Sequence, residues 1–245
     1  TDRTENEYPL SLDAVRGALV RLEETIIFSL IERAQFLHNA RVYEAVAFGN
    51  ALDGLSLVGF LLRGTERLHA QLRRYTSPDE HPFFHDLPSP LLPGVHIQSS
   101  LAANTVNINA RVRSVYEEKI VPHICRPGDD RQYGSSAVND VGALQAISKR
   151  VHYGKFVAES KYRGAPATYR ASISAADKEA LNELITDRDV EHTVLQRVRH
   201  KARTYCRELA STDEHVPDPA VVVDIFRRWI IPLNKEVQVL YLLGR

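Results

Sequence analysis

Leu12, Val15, Leu19, Leu22, Ile26 and Leu30 step along the chain by threes and fours. At 3.6 residues per turn that spacing lays them on one stripe of an amphipathic helix. Ser11, just before the stripe, offers a side-chain oxygen to the free N–H groups of the first turn. The same period returns along most of the chain. It predicts helices over about 52–75, about 106–122 and about 136–162, a short one after Pro166, then about 188–209 and 219–243, the last kinked at Pro232. No stretch alternates apolar and polar residues as a half-buried strand does. Stripes of this kind bury only against one another. The predicted class is all-α, a single-domain bundle of long helices over 1–245.

Two stretches interrupt the period. Residues 77–94 hold five prolines in 18 residues, which forbids a continuous helix and predicts an ordered, extended connection. Residues 126–135 read as a loop. No run is apolar and long enough to span a bilayer. Lys plus Arg and Asp plus Glu are both 31, so the chain lacks the cationic footprint of a nucleic-acid or membrane-surface binder. Two cysteines, Cys125 and Cys206, exclude a disulfide framework and a cysteine-rich zinc site. The chain opens Thr1-Asp2 without a signal-peptide pattern, as a trimmed or mature form would.

Charged residues on an apolar stripe are costly unless paired, so they mark candidate sites. Arg16 lies at the edge of the first stripe, either snorkelling to Glu23 or Glu24 or reaching a ligand. Arg150, Gly154, Val157 and Lys161 share one face of a later helix. Eleven residues, roughly 16 Å, separate the two cations. With small Gly154 and Ala158 between or beside them, they can frame a compact dianion; the alternative is a solvated face with Glu159 as partner. Glu191 opens a helix whose Val194, Leu195 and Val198 point inward, and it either favours that helix terminus or faces a ligand. Asn234 and Gln238, four apart, share a face among Leu233, Val237 and Tyr241. Such amides satisfy a neighbour's backbone or donate to ligand oxygens. A glycine-rich phosphate loop, paired metal-ligand spacing and a nucleophile elbow are all missing, so the set points to binding and electrostatics.

These residues sit in stretches that resemble the all-helical chorismate mutases of fungi and plants. The matching segments are 12–16, 23–33, 73–84, 148–161 and 232–243, in the family's order and over nearly the whole chain. Gln238 and the Asp79–Phe84 run are closer to plant members. The resemblance implies a cofactor-free, metal-free Claisen [3,3] rearrangement of chorismate to prephenate on the route to phenylalanine and tyrosine. By motif position, Arg16 and Arg150 would grip the two carboxylates, Lys161 and Gln238 would hydrogen-bond the ether oxygen, and Glu191 would accept from the ring hydroxyl. Asn234 stands where the family usually has Thr beside a carboxylate. Segments 130–162 and 219–243 would carry most of the pocket.

The resemblance also implies a homodimer with tyrosine, tryptophan or phenylalanine as effectors. The effector site would use Arg73, Arg74, Gly134, Ser135 and Val138, within 73–80 and 134–138; the alternative is that Arg73 and Arg74 only pair with Asp79 and Glu80. No nucleic acid or membrane partner is implied, and the location is the plastid stroma, after loss of a transit peptide, or the cytoplasm. Asn234, Leu240 and Gly244 depart from the family pattern. They keep a second reading open, a catalytically idle helical protein that binds aromatic amino acids or a protein partner.

Overall fold

A computed structural model describes residues 11–95, 99–209 and 215–245. Its helices are α1 (Leu12–Arg33), α2 (Leu57–Gln71), α3 (Asn109–Val115), α4 (Val121–Ile124), α5 (Tyr133–His152), α6 (Gly154–Gly164), α7 (Pro166–Ser174), α8 (Lys178–Ile185), α9 (Arg188–Leu209), α10 (Pro219–Ile225) and α11 (Ile231–Leu243). No strand occurs among the described residues, and no helix there is long and apolar enough to cross a membrane. The all-α expectation holds.

The boundaries follow local chemistry. Ser11 caps α1, its Oγ accepting from the Ala14 N–H at 3.2 Å. The segment predicted at 52–75 is helical only from Leu57, where Ser56 caps it through the Gly59 N–H at 3.1 Å. Pro122 does not end its helix as predicted. A π turn, Tyr116–Ile120, precedes it, and the helix runs on to Ile124. A second π turn, Phe226–Ile230, precedes Pro232 in the same way. Each widened turn accommodates a proline that has no N–H to continue the ladder. The predicted helix at 136–162 is two, broken at Tyr153. Helix α8 was not predicted. Asp177 caps it, and its buried Leu181 and Ile185 are a single i,i+4 pair, too short a stripe to register.

The main core joins α1, α2, α3, α5, α9, α10 and α11 through residues such as Ile26, Leu30, Leu62, Leu144, Ile147, Val198 and Phe226. A smaller cluster ties α6, α7, α8 and α11 together. The extended connection is anchored by a buried carboxylate on α2. Glu66 accepts the Phe83 N–H at 2.9 and 3.0 Å and the Phe84 N–H at 3.0 Å.

A second anchor predicts a pH effect. Lys155 is buried, and its Nζ donates to His81 Nε2 at 2.6 Å. His81 stacks on His152 at 4.3 Å, and His152 Nε2 accepts the Ile108 N–H. Both rings must therefore be neutral. Burial first, then the neighbouring His152 and Lys155, pushes His81 down to about 2, and burial pushes His152 down to about 4. Unfolded histidines titrate near 6.5, so the unfolded chain binds two protons that the native fold refuses as pH falls below that value. This stability is complete above pH 6.5 and drains away below it. A loss of about 4 kcal/mol is expected between pH 7 and pH 5. Urea unfolding at the two pH values measures it, and equal stabilities would contradict the neutral pair.

Candidate active site

Helices α1, α5, α6, α9 and α11, with the end of α8, close a cavity of about 360 Å³, the size of a small-molecule site. All six sequence-predicted residues line it: Arg16, Arg150, Lys161, Glu191, Asn234 and Gln238. They come from five different helices, so the fold assembles them over a separation of more than 200 residues.

Arg150 is 4% exposed, yet its Nε and Nη1 have no hydrogen-bond partner. Its nearest carboxylate, Glu23 Oε1, lies 3.9 Å from Nη2, at the limit of an ion pair. Glu23 is already engaged by Arg197, whose Nε and Nη2 donate to its two oxygens at 2.7 and 2.8 Å. Burial, then the like charge of Arg197, lowers the Arg150 pKa to about 10 against the attraction of Glu23. It stays cationic at neutral pH with donors unspent. Unmet buried donors cost about 1–3 kcal/mol each, and a carboxylate entering the cavity would satisfy them bidentately.

The other cations are also free to act. Arg16 stands half exposed at the mouth, 3.7 Å from Asp13, and makes no pair with Glu23 or Glu24. Lys161 Nζ donates to the Ile185 carbonyl at 2.5 Å, leaving two of its three protons. Burial lowers its pKa, while Asp187 and Glu191 oppose that. Glu159, the alternative partner weighed for Arg150 and Lys161, is held instead by Arg163, Tyr241 and Arg245.

Four further charged residues line the cavity and are not among the sequence-predicted site residues: Glu23, Asp187, Arg197 and Lys235. Asp187 caps α9 through the Val190 N–H, and Lys235 Nζ donates to Glu191 Oε1 at 3.1 Å. In the sequence Glu23 reads only as a candidate partner for Arg16, and nothing marks Asp187, Arg197 or Lys235 out from other helix charges. With them counted, five cationic side chains face three carboxylates, an excess of two positive charges. That excess matches a dianion.

Asn234 realises the backbone reading of the buried amides. Its Nδ2 donates to the carbonyls of Arg150 and Val151, both at 3.1 Å. Gln238 Nε2 donates to Asn234 Oδ1 at 2.9 Å, and Gln238 Oε1 is buried without a partner. The room above Gly154 is not left for a ligand as predicted, because α11 fills it. A Cβ at Gly154 would meet the Asn234 carbonyl oxygen at 2.7 Å.

The residues expected at an effector site lie elsewhere. Arg74 donates to Glu80 at 3.1 Å and to Gln145 of α5 at 3.1 Å. Arg73 donates to the Pro93 carbonyl, while its buried Nε has no partner. Asp79 pairs with Lys149, at 3.0 Å. Gly134, Ser135 and Val138 stand exposed in the first turns of α5.

The profile of the family described as chorismate mutase type II matches residues 133–239. Chorismate mutase 1, chloroplastic, of Petunia hybrida is 45% identical over 256 residues, covering 100% of this chain and 78% of that protein. The chain belongs to the chorismate mutase family. The crystal structure of AtCM1 with phenylalanine in its allosteric site superposes with a TM-score of 0.90 at 44% identity, covering 100% of this chain and 98% of that one. The Candida albicans chorismate mutase in complex with L-Trp gives 0.90 at 38% identity, covering 96% and 92%.

The activity is therefore that of an isomerase, the Claisen rearrangement of chorismate to prephenate in phenylalanine and tyrosine biosynthesis. The reaction is unimolecular and asks of a protein two things. The substrate must be held in its near-attack shape, and charge growing on the breaking ether oxygen must meet fixed donors.

Proposed function

We propose that the cavity described above is where chorismate rearranges, and that Arg150 is its main anchor. The observation that carries this reading is the buried guanidinium with unspent donors in a cavity whose charge exceeds neutrality by two. Arg16 and Arg150 take one substrate carboxylate each. Lys161 and Gln238 donate to the ether oxygen, and Glu191, steadied by Lys235, accepts from the ring hydroxyl. Asn234 is part of the same cavity wall. The whole chain, 1–245, serves as one domain for this site.

An amide at 238 donates at any pH, unlike a carboxyl. Turnover should change by no more than about twofold between pH 5 and pH 8. Initial rates of chorismate loss across that range test it; a steep fall above pH 6 would contradict donation by Gln238.

We further infer that the chain works as a homodimer regulated by tyrosine, tryptophan or phenylalanine. Within one chain Arg74 meets α5 at Gln145, eleven residues from Gly134, which is roughly 16 Å along the helix. One amino acid cannot touch both groups. A second copy supplying Gly134, Ser135 and Val138 opposite Arg73 and Arg74 would complete the site. An apolar strip supports such pairing: Phe60 and Leu68 on α2 and Leu72 just after it are 41%, 63% and 61% exposed, and Leu91 lies close by, its N–H donating to the Gln71 carbonyl. Sedimentation at equilibrium should give twice the chain mass, and tyrosine or tryptophan should change the rate. A monomer indifferent to all three amino acids would contradict both claims. The Petunia relative is chloroplastic, which favours the plastid stroma over the cytoplasm.

A further inference from the structure

Helix α5 ends and α6 begins within one residue, Tyr153, whose own side chain does not cap the start of α6. Asn234 spans the break from α11, with its single amide nitrogen donating to the carbonyls of Arg150 and Val151. Both protons of that nitrogen are thereby spent. The amide cannot be turned over, since the flip would aim its oxygen at two carbonyl oxygens. Close packing reinforces this, because Gly154 is tight against the Asn234 backbone, Nδ2 and Gln238 Cγ.

Asn234 Oδ1 is consequently an acceptor, and only an acceptor. Its neighbour is position 238, where Gln238 answers with Nε2 at 2.9 Å. This settles the orientation of the second amide too. One N–H of Gln238 points at Asn234, and its Oε1 is the unpartnered buried oxygen. We propose that Asn234 is a positioning residue for the rearrangement: anchored on the backbone at the α5–α6 break, it compels residue 238 to be a hydrogen-bond donor and fixes which face of that amide meets the substrate. This rests on the assignment of the cavity to chorismate. It departs from a carboxylate contact by Asn234 itself, whose donors are already used.

A carboxyl placed at 238 reports the imposed polarity. Facing an oxygen that cannot donate, it is favoured in its protonated form, which can donate to Asn234 Oδ1. Other groups lining the cavity act on it too: Arg16 from α1, Arg150 from α5, Lys161 from α6, Lys235 from α11 and Arg197 from α9 favour its charged form, while Glu23, Asp187 and Glu191 oppose it. They are common to both arms of a comparison, so the difference isolates Asn234.

Gln238→Glu is titrated by carboxyl carbon NMR in the full chain, alone and combined with Asn234→Ala. With Asn234 present the new carboxyl should titrate about one pH unit or more higher than without it. Asn234→Thr, which keeps a polar group at the break but has a hydroxyl able to turn its proton toward 238, is the second arm and should also lower the value. Equal values in all three proteins would overturn the proposal. In the Gln238 background, Asn234→Ala should reduce kcat at least tenfold with KM little changed. A raised KM at unchanged kcat would overturn it as well, by making Asn234 a substrate contact. If the NMR difference appears but turnover ignores substitutions at 238, the imposed polarity stands and it is the role of Gln238 at the ether oxygen that falls.

Discussion

Arg150→Ala should abolish turnover while leaving the fold as stable as before, or slightly more so. The two halves of that expectation come from the same geometry. For activity, Arg150 is the one fully buried cation of the cavity with nitrogens that lack any partner. Removing a bidentate carboxylate grip, in a site where water does not compete, costs on the order of a thousandfold in kcat/KM or more. For stability, breaking a buried ion pair would cost about 3–5 kcal/mol by stranding the other charge. Glu23 would not be stranded, because Arg197 holds both of its oxygens. What leaves with the guanidinium is a desolvated charge that burial pulls down to about 10. Steady-state rates and thermal unfolding of the same preparation check both halves. A destabilised but partly active variant would make Arg150 a structural ion and remove the anchor from the proposed site.

Asp140→Ala should do the opposite, with a large loss of stability and little direct effect on the cavity. Asp140 sits on α5, fully buried, and accepts from Arg33 Nε at 2.7 Å, Tyr116 OH at 2.8 Å and Tyr43 OH at 2.8 Å. Arg33 is equally buried at the end of α1 and spends its other nitrogens on the Leu37 and His38 carbonyls. The substitution leaves an uncompensated guanidinium and two unmet hydroxyls in the core. A cost of about 3–5 kcal/mol follows. In a chain of this size that lowers Tm by about 10 °C. Adding Arg33→Met to Asp140→Ala should recover part of the loss, since the charge that suffers is gone. Differential scanning calorimetry of the single and double variants checks this. A Tm within a degree or two of the parent in Asp140→Ala would show that the network carries no net stability.

The contrast between these two arginines shows what could be read in the sequence and what could not. Arg150 and Lys161 interrupt an apolar stripe, and such interruptions are visible from spacing alone. Asn234 and Gln238 stand out the same way, because amides are rare on a face otherwise made of Leu, Val and Tyr. Arg33 and Asp140 gave no such signal. They are 107 residues apart, and each sits where a helix could equally show a charge to solvent. Arg197, Lys235 and Asp187 escaped for a related reason, since helices ending or starting at the surface carry charges of this kind as a matter of course. The π turns before Pro122 and Pro232 were also hidden, because the sequence shows where the ladder fails and not how the backbone absorbs it. The break at Tyr153 has no proline at all. It depends on α11 crossing close over Gly154, a contact between segments 80 residues apart.

The most direct test of the cavity's role is the loss of chorismate absorbance at pH 7.5 on adding the purified chain, with prephenate identified as product and a chelator present throughout. First-order conversion that scales with protein, needs no added cofactor, and disappears in Arg150→Ala with its melting curve unchanged is the predicted result. Conversion that persists undiminished in that variant would contradict it, since the rearrangement would then take place somewhere other than the cavity between α1, α5, α6, α9 and α11.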